Sequence, residues 1–251
     1  MGATGKDCGS IIYGWGDTAF PQDGYYYILG FEFDLSQVLS ISLNGEKMPI
    51  TRKVQIPSGI IPNIVVRFKD LKRCDDMLFS AGSGISMSSA DVSNLDTSNV
   101  VSMQGMFRHL TRTSNIIGLE NLDTSNVKCL AYVLYNVLTS FEEGRISNWD
   151  TSKVTDFSYA FSHEGYVSSP TYSIDISGWD TSSAENMDGM FSGHVRLREL
   201  KMMGATNPNA SVSDMFAGVV SDGVFYYNPR YDYSHIIAQL PSSWTAIPVT
   251  Q

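Results

Sequence analysis

One stretch decides the fold of this chain: Asn148-Trp149-Asp150-Thr151-Ser152-Lys153-Val154. Three further copies of its Asp-Thr-Ser core stand in register with it, in the ranges 94–100, 121–127 and 178–184. The aspartates are Asp96, Asp123, Asp150 and Asp180, so the steps between copies are 27, 27 and 30 residues. A nearly fixed step of this size is typical of a solenoid, in which each repeat forms one coil and stacks on the next.

A second landmark follows each aspartate by eleven residues. It is apolar and is aromatic in three of the four copies: Phe107, Leu134, Phe161 and Phe191. The same landmark recurs outside the four copies, in Leu78-Phe79 and in Met215-Phe216. We therefore predict about six coils within residues 61–220, with degenerate outer coils because an end coil needs one polar face.

Each repeat has the pattern of a short strand followed by a short helix. Apolar residues such as Ile174 and Ile176 alternate before the aspartate, which indicates a strand. Val100, Met103 and Phe107 follow the aspartate at helical spacing, behind Thr and Ser residues suited to cap a helix. The predicted fold class is α/β: a leucine-rich-repeat-like solenoid of strand-plus-short-helix coils.

The stretch 146–162 resembles a known bacterial surface-protein repeat of roughly 26 residues, W-D-T-S-x-V-x-x-M-x-x-M-F. That repeat is found in BspA-like surface proteins, in mycoplasmal lipoproteins and in virion proteins of gut bacteriophages. The resemblance covers about residues 65–220 and is weakest in the second copy, where Leu130, Val133 and Leu134 replace the Met and aromatic residues. It implies a leucine-rich-repeat-like fold and a surface, adhesive or interaction role, without catalytic residues.

The two ends of the chain do not follow the repeat. Residues 1–60 are predicted to form a β-rich head with strands at 25–29 and 31–33 and a hairpin turning at Asn44-Gly45. This head is either a cap on the solenoid or a docking module. Residues 221–251 are predicted to form a C-terminal cap with a strand at 225–227 and a helix at 232–239, over which Trp244 and Ile247 fold back.

Composition excludes several classes of protein. The net charge is −9, which disfavours binding to nucleic acid or to an anionic membrane surface. The three widely spaced cysteines form no zinc or disulfide pattern. The N-terminus has no signal-peptide pattern, and no apolar run is long enough to span a membrane. We expect a protein without membrane insertion.

The residues that chemistry would use are few. The repeated Asp96, Asp123, Asp150 and Asp180 would form a ladder of carboxylates, which could bind calcium or could cap the corner of each coil. We favour the structural corner. We expect the three histidines that follow the landmark aromatics, His109, His163 and His194, to be surface residues. Motifs for a nucleophile or a metalloprotease are absent from the sequence, so we predict no catalytic residues, no cofactor and no metal, and not an enzyme.

The predicted function is therefore binding or assembly. Solenoids often bind partners on their strand face, where this sequence has small polar residues: Ser93, Asn94, Ser147, Asn148 and Ser177. The expected partners are other protein subunits, including further copies of the chain in a homo-oligomer, or a host-surface protein or glycan. The leading hypothesis is a phage virion component, a fibre or decoration. A bacterial cell-surface adhesin or lipoprotein is the alternative, and a carbohydrate-active enzyme ranks last because no carboxylate pair is identifiable.

Overall fold

The repeats form a β-solenoid. The computed structural model describes residues 5–14, 24–78, 89–110, 115–137, 145–164, 172–219 and 222–250. One residue per coil pairs in parallel with its equivalent in the next coil, in a ladder formed by Arg73, Ser102, Cys129, Asp156, Asn186 and Ser211. The prediction of about six coils is therefore confirmed. Phe79, the landmark assigned to the first coil, lies outside the described residues.

A β-rich head precedes the first coil. The predicted hairpin at Asn44-Gly45 is confirmed, and both residues have the positive φ (50° and 85°) that a tight hairpin turn requires. The segment 31–33, predicted as a strand, is a bend instead, and a short 3-10 helix (Leu35–Gln37) follows it. The strands of this region are β1 (Asp7–Gly14), β2 (Gly24–Tyr27), β3 (Val38–Leu43), β4 (Glu46–Met48), β5 (Lys53–Ile56) and β6 (Ile64–Lys69).

The remaining strands line one side of the coils. They are β7 (Ser89–Asp91), β8 (Asn115–Ile117), β9 (Tyr172–Asp175), β10 (Leu197–Met202), β11 (Gly223–Tyr227) and β12 (Trp244–Pro248). β7 and β8 continue the head sheet, whose order is β4-β3-β6-β1-β7-β8. β9 to β12 form a separate parallel sheet in the order β12-β11-β10-β9. The head therefore shares one sheet with the first two coil strands, β7 and β8, but not with β9 to β12.

Helices are a minor part of the structure. The predicted C-terminal helix is one short helix, α1 (Ser234–Ile237), and a second 3-10 helix spans Leu119–Asn121. No helix in the described ranges has the length and apolar character needed to cross a membrane.

The short helix predicted after each Asp-Thr-Ser is wrong for the described coils, because that segment is a series of turns. Met106 N–H donates to Met103 O, and Arg108 N–H donates to Gly105 O, as in successive β-turns. The N–H group between them points to the next coil: Phe107 donates to Val133 O at 3.0 Å. Backbone hydrogen bonds are thus divided between the turns of one coil and the neighbouring coil.

Left-handed backbone conformations make these turns possible. In the described coils, the residue nine positions after the aspartate has a positive φ, for example 57° at Tyr132, 55° at Tyr159 and 60° at Gly189. A type II turn requires positive φ at its third residue, whereas an α-helix does not tolerate it. The apolar residues at helical spacing still face the interior, because the turns return the chain to the core every three or four residues.

The Asp-Thr-Ser motif makes hydrogen bonds within its own coil and to the next coil. The aspartate accepts the backbone N–H of the serine two residues later, as Asp150 does from Ser152 at 3.0 Å. The threonine hydroxyl is buried and reaches the next coil: Thr151 Oγ1 donates to Asp180 O at 2.9 Å. Thr97 and Thr181 make the same inter-coil hydrogen bond. The motif therefore recurs because its hydroxyl joins adjacent coils.

Aromatic residues stack along the solenoid axis inside the core. Phe161, Phe191 and Phe216 lie in successive coils with ring centroids 5.6 Å apart. Trp149 and Trp179 form a second stack at 6.0 Å, and Trp179 Nε1 donates to Ile146 O of the preceding coil at 2.7 Å. Burying a large apolar side chain stabilises the fold by roughly 1.5–3 kcal/mol, so these stacks are a main source of stability.

Two of the three histidines expected at the surface are buried. His163 and His194 are 5% and 7% exposed, and their rings lie 5.6 Å apart in adjacent coils. The expectation of surface histidines is therefore wrong for this pair, because the segment after the landmark aromatic turns inward. Burial, together with the neighbouring His163, lowers the pKa of His194 to about 4.

A threonine pair tests the inter-coil hydrogen bond. We predict that Thr151→Val lowers the free energy of unfolding by about 1 kcal/mol, because it removes the bond to Asp180 O while keeping the side-chain shape. Thr124→Val is the matched control, since the buried Thr124 hydroxyl has no hydrogen-bond partner. Urea denaturation of both variants measures the effect. Equal destabilisation of the two variants would contradict the assignment.

Buried His194 predicts a dependence of stability on pH. Its pKa in the folded state lies below the unfolded value of 6.5, so the unfolded chain takes up a proton first as the pH falls. The free energy of unfolding should therefore decrease between about pH 6.5 and pH 4, by at most roughly 3 kcal/mol from this group. The measurement is thermal unfolding against pH for the wild type and for His194→Gln. A wild-type curve parallel to that of the variant over this interval would refute the prediction.

Candidate functional site

The four repeat aspartates occupy coil corners. Asp96, Asp123, Asp150 and Asp180 each accept the N–H of the serine two residues on, at 2.9–3.1 Å. Asp96 also pairs with Lys6 Nζ at 2.6 Å, and this hydrogen bond lowers the pKa of Asp96 to about 2. Within the described ranges, no group of three or more His, Cys, Asp or Glu side chains is arranged to hold a metal ion. These carboxylates are engaged in local backbone contacts.

The small polar residues proposed as an interaction face lie in turns and not on strands. The N–H groups of Ser93 and Ser177 donate to Asp91 Oδ1 and Asp175 Oδ1, at 2.9 and 3.0 Å, and these bonds bend the chain after each strand. Asn148 Nδ2 donates to Glu120 O of the preceding coil at 3.2 Å. The other two residues of the predicted face, Asn94 and Ser147, lie in the same kind of turn. Whether these five residues bind a partner stays a prediction.

A group of half-buried tyrosines lies on the turn side of the coils. Tyr132 and Tyr159 stack face to face, with centroids 5.0 Å apart and ring planes 13° apart. Tyr135 meets Tyr132 edge to face at 5.4 Å, and His109 meets Tyr135 at 5.2 Å. Arg108 lies over the Tyr132 ring, 6.0 Å from its centroid. We call Arg108, His109, Tyr132, Tyr135, Tyr159 and Glu164 the tyrosine patch.

Both outer faces of the tyrosine stack are covered by the solenoid itself. A Cβ atom at Gly189 would overlap the Tyr159 ring, so this glycine makes room for the ring. On the other side, Arg108 covers Tyr132 and forms an ion pair with Asp76 at 3.1 Å. The stack therefore spans the coils from Asp76 to Gly189, and both tyrosine rings are half-buried.

The polar side chains of the tyrosine patch contact partners within it or beside it. The Tyr135 hydroxyl donates to Glu164 Oε1, and burial together with this hydrogen bond raises the pKa of Tyr135. Burial also raises the pKa of Asp76, against the opposing effect of Arg108. His109 Nδ1 lies 3.0 Å from Asn136 Nδ2, and burial lowers the pKa of His109. The patch is thus held in place by its own contacts and by the ion pair of Arg108 with Asp76.

Sequence reasoning missed the tyrosine patch, although a signal was present. Nine residues after the aspartate, the first and fourth copies have Gly105 and Gly189, which suit a left-handed backbone. The second and third copies have Tyr132 and Tyr159 at the same position. A bulky residue at a position that favours glycine marks a side chain with a role of its own.

The repeat assigns the chain to a family. The family described as "Mycoplasma protein of unknown function, DUF285" matches residues 72–164 and 110–222, which together cover more than half of the chain. No curated protein and no solved structure matches the chain. The matched residues contain the six-membered ladder and the tyrosine patch. The chain therefore belongs to the DUF285 family.

Proposed function

We propose that this protein is a non-enzymatic interaction protein, whose solenoid presents the tyrosine patch to a protein partner. The observation that carries the proposal is the backbone of Tyr132 and Tyr159, with φ of 57° and 55°. Bulky residues with left-handed backbones are rare, and strained residues of this kind concentrate at functional sites.

Stability alone does not account for the two tyrosines. A left-handed backbone costs roughly 1–2 kcal/mol for each non-glycine residue, or about 2–4 kcal/mol for the pair. Stacking of the two rings returns about 0.5–1.5 kcal/mol beyond the burial of area. Glycine, which stands at this position in the first and fourth copies, avoids the strain. Partial burial of the two rings returns further free energy, so strain and stabilisation nearly balance, and we attribute the choice of tyrosine to contact with a partner.

The composition of the tyrosine patch fits a protein partner. Tyrosine and arginine are enriched at protein interfaces, where they give a large contact area with few rotatable bonds. Backbone hydrogen bonds tie the Tyr132 and Tyr159 coils to their neighbours, for example Tyr159 N–H to Asp188 O at 2.9 Å. A patch that is already ordered loses little conformational entropy on binding.

The leading setting for this interaction is the outside of a phage particle, as a fibre or decoration. The alternative is a bacterial cell surface, where the protein would be an adhesin or lipoprotein. Both rest on the resemblance of the Asp-Thr-Ser repeat to BspA-like and gut-phage repeats, and so does the proposed kinship with leucine-rich repeats. In either setting the partner is a protein subunit or a host-surface protein.

Substitutions at the patch should separate binding from stability. We predict that Tyr132→Asn/Tyr159→Asn lowers binding at least tenfold, because the contact surface is lost. The binding is measured on intact bacteria that the wild-type protein labels. The free energy of unfolding should change by less than about 1.5 kcal/mol, because asparagine tolerates positive φ. Flow cytometry with fluorescent protein measures the binding, and Tyr226→Asn, outside the patch, is the matched control. Undiminished binding by the double variant would remove the patch from the interface.

The phage setting has its own test. If the protein is a virion component, antibodies against it should label intact purified particles in electron micrographs, and its gene should lie among phage structural genes. Labelling of bacterial cells with no labelled particles, or a gene that encodes a lipoprotein signal, would favour the bacterial alternative.

A further inference from the structure

The last coil of the ladder presents a row of unused hydrogen-bond donors. Every earlier coil donates alternate N–H groups forward, as Met187, Gly189, Phe191 and Gly193 do to carbonyls of the sixth coil at 2.7–3.0 Å. The equivalent groups in the sixth coil are the N–H groups of Val212, Asp214, Phe216 and Gly218. None of these four has an acceptor in the described structure. Among the described coils, the interface that joins successive coils is thus left open at this end.

The open row lies at a partly exposed edge of the sixth coil, where Val212 is half-buried and Phe216 is buried. Ser211, Ser213, Asp214, Ala217 and Gly218 are all exposed. On the other sides of the same coil the chain is covered: β11 pairs with β10, Thr206 is 8% exposed, and Trp244 packs against Phe216 with centroids 6.0 Å apart. On the strand side, β11 and β12 extend the sheet beyond the coil of the last ladder residue. The ladder side is therefore shorter than the strand side. We call residues 210–218 the open ladder edge.

The opposite end of the ladder is closed by the head. Gly30 N–H donates to Met77 O at 3.0 Å, and Gln37 Nε2 donates to Arg73 O at 3.0 Å. These carbonyls belong to the first coil, where a preceding coil would otherwise supply the donors. A second copy of this chain therefore lacks a free complementary surface, because its own head already occupies it.

We propose that the open ladder edge binds one ladder segment of a different polypeptide, which adds a further coil to the row. The segment must supply carbonyls at alternate residues in the same series of turns. It therefore needs residues that tolerate positive φ at its fourth and eighth positions, as Asp214 and Gly218 do within 211–218. Ala210 O, which accepts no hydrogen bond from any described residue, supplies an acceptor on this edge. Strand addition to an unpaired edge is a known mode of peptide recognition.

The argument for this occupant is continuity with the interface inside the chain. The same pairing joins five successive pairs of coils, from Arg73 with Ser102 to Asn186 with Ser211. A partner segment at the edge would repeat these contacts without a new kind of interaction. Four backbone hydrogen bonds in place of bonds to water give modest affinity, so we expect binding to a short peptide to be weak.

The test uses the full chain and a synthetic peptide. The probe is residues 184–195 of this chain with blocked ends, which contains Gly189 and Gly193 at the two positions that need positive φ. The control is the same peptide with Gly189→Val and Gly193→Val, because β-branched residues disfavour that backbone. Amide exchange and chemical shifts measured by NMR report on each N–H separately.

We expect saturating probe peptide to slow exchange at Val212, Asp214, Phe216 and Gly218 at least tenfold, and the control peptide to have no effect. The amides of Met187, Gly189, Phe191 and Gly193 are internal controls and should not change. Absence of protection with the probe peptide, or equal protection with both peptides, would overturn the proposal. Protection that increases with protein concentration in the absence of peptide would also overturn it, because the occupant would then be a second copy.

Discussion

The backbone hydrogen bond between coils is the constraint on which the rest of the structure depends. Because the turn segments pair forward with the next coil, each coil must place its residues in register with its neighbours. Register then fixes the column of aromatic rings in the core and the column of threonine hydroxyls at the corners. The tyrosine stack has the same origin, since Tyr132 and Tyr159 occupy the same position in adjacent coils.

The number of coils could be predicted from the sequence, but their backbone conformation could not. The Asp-Thr-Ser spacing follows the coils because three of the four copies make the same inter-coil hydrogen bond, through Thr97, Thr151 and Thr181. Apolar residues three or four apart fit a helix and a series of turns equally well, so Val100, Met103 and Phe107 did not distinguish them. The distinguishing signal was the glycines at 105 and 189, which mark positive φ. The hairpin at Asn44-Gly45 was predicted because its turn residues act locally.

The candidate site depends on contacts that the sequence pattern does not express. Tyr132 and Tyr159 are 27 residues apart and touch only because one repeat brings them into adjacent coils. Arg108 can pair with Asp76 beside the stack because Gly105, in the same coil as Arg108, has no Cβ atom that would overlap the Asp76 carboxylate. The small polar residues predicted to lie on a strand face lie in turns for a similar reason, because Asp91 and Asp175 turn the chain after each strand. In both cases the residue at one position of a coil determines the conformation and contacts of residues at a neighbouring position.

The main direction of the inter-coil hydrogen bonds matches the direction in which the ribosome synthesises the chain. Because N–H groups donate toward the C-terminal side of the ladder, each completed coil offers donors to the coil that the ribosome makes next. The head, made first, already supplies donors to the first coil through Gly30 and Gln37. The nascent chain thus has a template for every coil at the moment that coil emerges.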